Sequence, residues 1–109
     1  MRELKFRAWD KEAKEMLNYS REVMQLMLTP FAQRYAIMQY SGLKDKQGTE
    51  IYEGDILNDP FTDVKPYVEF VDGSFCVLGY ENCAVDLLEY LENSSVGTCV
   101  IGNIYEDKK

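Results

Sequence analysis

Histidine is absent from the 109 residues of this sequence. Histidine is the commonest metal ligand, and it is the side chain whose ordinary pKa lies closest to neutral pH. A Ser-His-Asp triad and a Cys-His pair are therefore impossible within one chain, as is a zinc site built on imidazole. An enzyme built on this sequence would have to rely on carboxylates and a metal ion.

Cysteine is scarce, and long apolar runs are missing. The three cysteines, Cys76, Cys83 and Cys99, form no CxxC pair, and we expect reduced thiols that fill the core as small apolar side chains. The first residues contain no apolar segment of a secretory signal. No stretch approaches the roughly 20 apolar residues of a membrane helix. The sequence thus predicts a cytoplasmic protein.

Positive charge is scarce in the last two-thirds of the sequence. Residues 1–34 hold seven Lys and Arg against five Asp and Glu, a balance of +2. Residues 35–109 hold five against fourteen, a balance of −9, which gives the net charge of −7. The acidic part would repel a phosphate backbone, which argues against nucleic acid as its partner. The simpler interpretation is that this charge keeps the protein soluble.

Turn residues between apolar stretches predict three antiparallel hairpins. The first connection is polar and begins at Asp10, where a short helix is the competing interpretation. The second is a polar loop that closes on Gly48. The third, Asp72-Gly73, is the strongest signal, because both residues suit the positive φ angles of a type I′ turn. The predicted strand pairs, in chain order, are 4–9 with 16–17, 35–40 with 51–52, and 67–71 with 74–78.

One short helix is predicted near residues 82–93. Asn82 can cap it, and four apolar side chains recur behind the cap at helical spacing; these are Ala84, Leu87, Leu88 and Leu91. The apolar segment 23–29 fits either a strand or a helix, because a short apolar run does not distinguish them. Pro30 ends that segment in both cases, and residues 18–22 before it are interpreted as loop.

The fold class that follows is α+β and mostly β, with antiparallel hairpins that form a partly open, small barrel-like sheet. A bend is expected at Gly54, where a strand turns a corner. The last strand, residues 98–105, is apolar on both faces and is predicted to be central in its sheet. Residues 1–109 are expected to be one domain, with an N-terminal hairpin and connecting segment over 1–34 and a barrel-like part over 35–109.

Three stretches of the sequence together resemble the YopX family of phage and prophage proteins. They are Phe6-Arg7-Ala8-Trp9-Asp10, then Met38 to Gly48 running into Glu50-Ile51-Tyr52-Glu53-Gly54-Asp55-Ile56, and finally Val100-Ile101-Gly102-Asn103-Ile104-Tyr105-Glu106. The resemblance implies a β-rich fold with a partly barrel-like C-terminal part. It also implies a viral or prophage origin and work in the bacterial cytoplasm. It brings no established enzymatic activity and no catalytic residues.

Two small groups of side chains are candidate sites. Glu50, Glu53 and Asp55 could collect a hard cation, but their spacing matches no known loop motif, and such a group is equally typical of a solvated strand edge. Lys5 and Arg7 lie beside Trp9 on the polar side of the first strand, which is a rudimentary platform for single-stranded nucleic acid. Trp is also a common core or interface residue. We predict no catalytic residue, no metal and no cofactor.

Tyrosine is the third candidate feature, since it is enriched in binding surfaces and is also a good strand residue. The sequence contains eight tyrosines. Combined with the two groups above, they give a predicted partner surface of Lys5, Arg7, Trp9, Tyr40, Tyr52, Glu53 and Asp55.

Three functions follow, none of them enzymatic. The first is a protein-binding module whose partner is unknown and could be a second copy of the chain. The second is an acidic decoy that imitates DNA and occupies a host nuclease or regulator. The third is a weak nucleic-acid binder that uses Lys5, Arg7 and Trp9.

Overall fold

The computed structural model describes residues 4–30, 32–59, 63–80, 83–92 and 98–106. It is mostly β, with two sheets, one of them curled as a half-barrel, and two short helices. This confirms the predicted α+β class dominated by antiparallel strands. The chain divides into two compact units, Met1–Tyr40 and Ser41–Lys109, which we call the N-terminal and C-terminal units.

The N-terminal unit is built around strand β1, which lies between β2 and β3 and is antiparallel to both. The predicted first hairpin is confirmed, because residues 11–14 form a turn between β1 and β2, and the competing helix does not form there. Arg34 ends a single 3₁₀ turn that leads into β3. The elements are β1 Phe6–Asp10, β2 Glu15–Leu17, α1 Ser20–Leu26, the 3₁₀ turn Ala32–Arg34 and β3 Tyr35–Lys44.

The segment 23–29, which by sequence fits either a strand or a helix, begins as a helix, because its first four residues belong to α1. The loop predicted at residues 18–22 is wrong from Ser20 onward, where this helix starts. The helix begins at Ser20, whose hydroxyl oxygen accepts a 2.9 Å hydrogen bond from the backbone N–H of Phe6 in β1. Val23 is fully buried. Glu22 in the first turn suits the positive end of the helix dipole. The remaining residues, Arg21, Met24, Gln25 and Leu26, are good helix formers.

The C-terminal unit is an antiparallel sheet in the order β8-β7-β6-β5-β9. Strand β3 continues into this unit, where its neighbour is β4. The predicted loop between them closes on Gly48 with a φ of 87°, so the second hairpin is confirmed. The elements are β4 Glu50–Tyr52, β5 Asp55–Leu57, β6 Tyr67–Val71, β7 Ser74–Tyr80, β8 Cys83–Asp86, α2 Leu87–Glu92 and β9 Val100–Asn103.

The predicted Asp72-Gly73 turn is confirmed. Asp72 has a φ of 49° and Gly73 a φ of 85°, and both angles lie in the left-handed region that a type I′ turn requires. The expected bend at Gly54 is present as well, since that residue has a φ of 84° in the turn between β4 and β5.

The helix predicted near residues 82–93 is confirmed as α2, but its start and the position of the last strand differ from the prediction. Residues 83–86 are strand β8 paired with β7, so the helix begins at Leu87 and the backbone N–H of Glu89 donates to the Asp86 carboxylate instead of to an Asn82 cap. Asn82 itself lies outside the described residues. Strand β9 is last in its sheet order rather than central, and its Ile101 is 55% exposed. Apolar residues on both faces of this strand therefore did not indicate a central, buried position.

The main core lies in the C-terminal unit. Six buried apolar side chains form one cluster, namely Ile51, Leu57, Val68, Phe75, Val77 and Leu87. In the N-terminal unit Ala8, Val23 and Met38 are buried. Cys76 and Cys99 are only half-buried free thiols, so they border the core rather than fill it. The side chain of Cys83 lies outside the described part of the chain.

Candidate functional site

The carboxylate of Asp10 is held by an arginine and by the backbone. Arg34 donates from Nε to Oδ1 at 2.8 Å and from Nη2 to Oδ2 at 2.9 Å. The N–H groups of Glu12 and Ala13 each donate to Oδ1 at 3.0 Å. The hydrogen bonds from Arg34 are the main reason that the pKa of Asp10 falls to about 2. This side chain is an anchor for the β1–β2 turn.

Asp45 plays a similar part in the C-terminal unit. Its Oδ1 accepts from the N–H groups of Gln47 at 2.9 Å and Thr49 at 2.8 Å. Its Oδ2 accepts from the N–H of Val100 at 2.8 Å. One buried carboxylate therefore shapes the loop after β3 and fixes the start of β9.

Asp55 and Asn103 face each other across β5 and β9. The Asp55 carboxylate, 1% exposed, accepts from the N–H of Tyr52 at 2.8 Å. The neighbouring carbonyl of Gly54 accepts from the N–H of Ile104 at 2.8 Å. These bonds join the middle and last stretches on which the sequence resemblance depends. Those stretches form the frame of the C-terminal unit.

The candidate cation group is therefore not an open cluster of ligands. Glu50 and Glu53 are half-buried, and the Asp55 carboxylate is engaged by the backbone. Within the described ranges there is no group of three or more His, Cys, Asp or Glu side chains placed to hold a metal ion.

The predicted partner surface divides between the two units. Lys5 lies with its Nζ 5.4 Å from the centre of the Tyr40 ring, and Arg7 donates from Nη2 to the sulfur of Met38 at 3.6 Å. Lys5, Arg7, Trp9 and Glu53 are half-buried, and Tyr40, Tyr52 and Asp55 are buried. The structure thus brings together Lys5 and Tyr40, and the partner role of these seven residues stays a prediction.

A cluster of tyrosines lies elsewhere in the C-terminal unit. The hydroxyl of Tyr80 donates to Asp59 at 2.6 Å and lies 2.8 Å from the hydroxyl of Tyr90 in α2. Burial is the main reason that the pKa of Tyr80 is raised, and the hydrogen bond to Asp59 raises it further. The cluster ties α2 and the segment after β5 to strand β7.

A group of exposed apolar side chains lies in α1 and the turn directly after it, where the sequence predicted no site. Leu28 is 88% exposed, Met24 45% and Met27 44%. They border a groove of about 690 Å³ whose lining is almost wholly apolar. We call this the α1 groove; its lining residues are Phe6, Ser20, Arg21, Met24, Gln25, Met27 and Leu28.

Arg21 supplies the charge of the α1 groove. It is exposed, and it makes no ion pair with any residue that the structure describes. An apolar floor with a guanidinium at its margin can accept an apolar side chain beside a carboxylate. The only sequence signal for this groove was the apolar run at 23–29. Which of its side chains are exposed depends on whether the run is a strand or a helix, and the sequence fits both.

Comparison with known proteins gives a family and a similar solved structure. The family model described as "YopX protein" matches residues 20–109. The chain is also similar to the crystal structure of protein EF1440 from Enterococcus faecalis, with 28% identity, a TM-score of 0.64, and coverage of 97% of this chain and 96% of that one. No curated protein matches. As for membranes, no helix of the described chain has the length and apolar character needed to span one.

Proposed function

The chain belongs to the YopX protein family, and from that premise we propose that it is a non-catalytic protein-binding module. It acts in the cytoplasm of a bacterial host and is encoded by a phage or prophage. The α1 groove is the surface through which it binds. The observation that carries this proposal is the group of exposed apolar side chains in α1 and the turn directly after it, led by Leu28 at 88% exposure.

Exposed apolar groups in a cluster favour a contact surface. Single exposed apolar residues are ordinary, whereas contiguous apolar patches on a monomer often mark binding sites. Met24 and Met27 add to this argument, because flexible and polarizable methionine side chains adapt to the shape of a partner. Covering them would remove apolar area from water.

The buried carboxylates support a non-catalytic role. Asp10, Asp45 and Asp55 each accept hydrogen bonds from backbone N–H groups, and Asp10 is also paired with Arg34. A general acid or base has to be placed to exchange a proton with a substrate. These three groups are instead committed to holding turns and strands.

The two other functions receive less support. Asp45 and Asp55 are buried, so two of the carboxylates in the acidic part contribute little to a surface that imitates DNA. In the N-terminal unit, Lys5 lies over the ring of Tyr40 and Trp9 is half-buried. These positions leave a small platform for a nucleic acid base.

Binding through the α1 groove can be tested by affinity capture from a bacterial lysate. The immobilised wild-type chain is compared with Leu28→Glu, which places a charge in the groove, and with Lys14→Glu, which changes an exposed turn outside it. We expect the same captured proteins on the wild type and on Lys14→Glu, and their loss on Leu28→Glu. Equal capture by all three chains would contradict the proposal.

A further inference from the structure

The α1 groove and the outer surface of helix α2 are chemically complementary, and we infer that the groove binds α2 of a second copy of this chain. This inference rests on the proposed function, since it names the partner of the same groove. The contact is head-to-tail: the N-terminal unit of one copy receives the C-terminal unit of the next.

Helix α2 presents one apolar side chain among several carboxylates. Leu87 is buried and Leu88 is 50% exposed, so Leu88 projects outward. Glu92 lies four residues after Leu88 and therefore on the same side of the helix. The exposed carboxylates around Leu88 are those of Asp86, Glu89 and Glu92, and the last turn of α2 contains no basic residue. The surface is an apolar anchor with a negative margin.

The α1 groove has the opposite margin. Its charged residue is Arg21, which is exposed and makes no ion pair within the described part of the chain. An inserted Leu88 would contact Met24 and Leu28, while its carboxylate neighbours could reach the guanidinium. The apolar floor of the groove would thus contact Leu88, and Arg21 at its margin would pair with the carboxylates of α2.

Charge on the two units favours this orientation over a groove-to-groove contact. Residues 35–40 carry no charge, so the balances of +2 and −9 also describe the N-terminal and C-terminal units. Opposite charges attract and steer two surfaces together, whereas a groove-to-groove contact would place Arg21 near its own copy.

Head-to-tail contact leaves one groove and one α2 surface available on each chain. Leu28 and Leu88 are both exposed in the single chain. An interface of this type closes into a ring or extends into an open assembly. The mass of the assembly should therefore increase with protein concentration, and should decrease at high ionic strength as the charges are screened.

Sedimentation velocity of the full chain tests this inference. We expect Leu28→Glu and Leu88→Lys each to weaken self-association by about tenfold or more, since each removes an anchor at the centre of the contact. Asn18→Asp adds the same charge as Leu28→Glu at an exposed position outside the groove, and this control should associate as the wild type does. Both leucines are at least half exposed, and an unchanged urea unfolding midpoint would show that each variant is folded.

Mixing the two defective variants gives the decisive result. Leu28→Glu retains its α2 surface and Leu88→Lys retains its groove, so an equimolar mixture should form a 1:1 complex that neither variant forms alone. A mixture that stays monomeric would overturn the inference, because a groove-to-groove contact cannot be restored in this way. A wild-type chain that is monomeric at every concentration would overturn it too.

The same variants separate this inference from the proposed function. If the wild type is monomeric but Leu28→Glu still loses its captured proteins, the inference fails and the proposed function stands. If Leu28→Glu changes neither self-association nor the captured proteins, the inference and the proposed function both fail.

Discussion

Three aspartates hold this chain in its fold by accepting hydrogen bonds from the backbone. Asp10, Asp45 and Asp55 are all less than a tenth exposed, and a buried carboxylate is tolerated only when it is well satisfied. Each one closes a turn, and Asp45 also reaches strand β9. Hydrogen bonds to an ionised acceptor are stronger than those between neutral groups, so these three side chains should contribute strongly to stability.

Asp45→Asn should lower the free energy of unfolding by about 2–3 kcal/mol, because the amide cannot accept all three N–H bonds and places a donor against one of them. Urea unfolding measures this change. Asp72→Asn is the matched control, since Asp72 is exposed and Asn suits the same type I′ turn. A loss of the same size in both variants would contradict the role given to Asp45.

Acid should remove the contribution of Asp10. Its pKa is lowered from 3.8 to about 2 in the folded chain, so on acidification the unfolded chain binds the proton first. Asp10 therefore stabilises the fold above about pH 4, and that stabilisation is lost as the pH falls toward 2.

Asp10→Asn should consequently be less stable than the wild type at neutral pH, and the difference in urea midpoint should shrink between about pH 4 and pH 2. Asp63→Asn, which changes an exposed carboxylate, should show little difference at any pH. A difference for Asp10→Asn that is constant with pH would show that the carboxylate charge is not what matters.

The hydrogen bonds of Asp45 separate what the sequence can predict from what it cannot. An Asp before a glycine-containing loop is a local signal, and the bonds from Asp45 to Gln47 and Thr49 belong to that signal. Its third bond joins residues 55 positions apart. Such a contact depends on how β9 returns to the sheet, which no local pattern contains.

Hairpins were predicted more accurately than the bounds of the helices, for a physical reason. Asp72-Gly73 and Gly48 require positive φ angles that few residues adopt, so their chemistry determines the turn. Helices as short as α1 and α2 are marginal in isolation and depend on packing. Val23 and Leu87, each buried, supply that packing. Leu87 was identified by its helical spacing, whereas Val23 lies in a run that fits a strand equally well.

Glycine at position 79 offers a test of packing between β7 and the segment before β6. Gly79 has a φ of +113°, and a Cβ there would lie 3.2 Å from the Cα of Pro66. Gly48 has a φ of +87° with nothing within 4 Å of such a Cβ.

Gly48→Ala should therefore lower the free energy of unfolding by about 1 kcal/mol, from backbone strain alone. Gly79→Ala should lower it by more, because the backbone of Pro66 must also move. Urea unfolding of the two variants decides the matter. Equal losses would mean that the contact with Pro66 adds nothing.

The middle and last stretches of the sequence resemblance lie apart in the chain from the surface that we propose binds a partner, and the family match over residues 20–109 includes both those stretches and α1. The middle and last stretches of the resemblance frame the C-terminal unit through Asp45, Asp55 and Asn103. The proposed contact surface lies on α1, whose apolar residues gave an ambiguous pattern. Sequence reasoning placed the partner surface on Lys5, Arg7 and other residues that are half-buried or buried in the structure. It missed α1 because exposure depends on which face the helix turns inward.

Methionine oxidation footprinting tests the central claim, that α1 is a contact surface. Met24 and Met27 are 45% and 44% exposed, whereas Met38 is 1% exposed and serves as an unreactive reference. Half-buried Met16 in β2 reports on any general change in the N-terminal unit. We expect that mild peroxide oxidises Met24 and Met27 readily in the free chain, and that bound protein slows both while Met16 keeps its rate. A bound complex in which Met24 and Met27 react as fast as they do in the free chain would contradict the account.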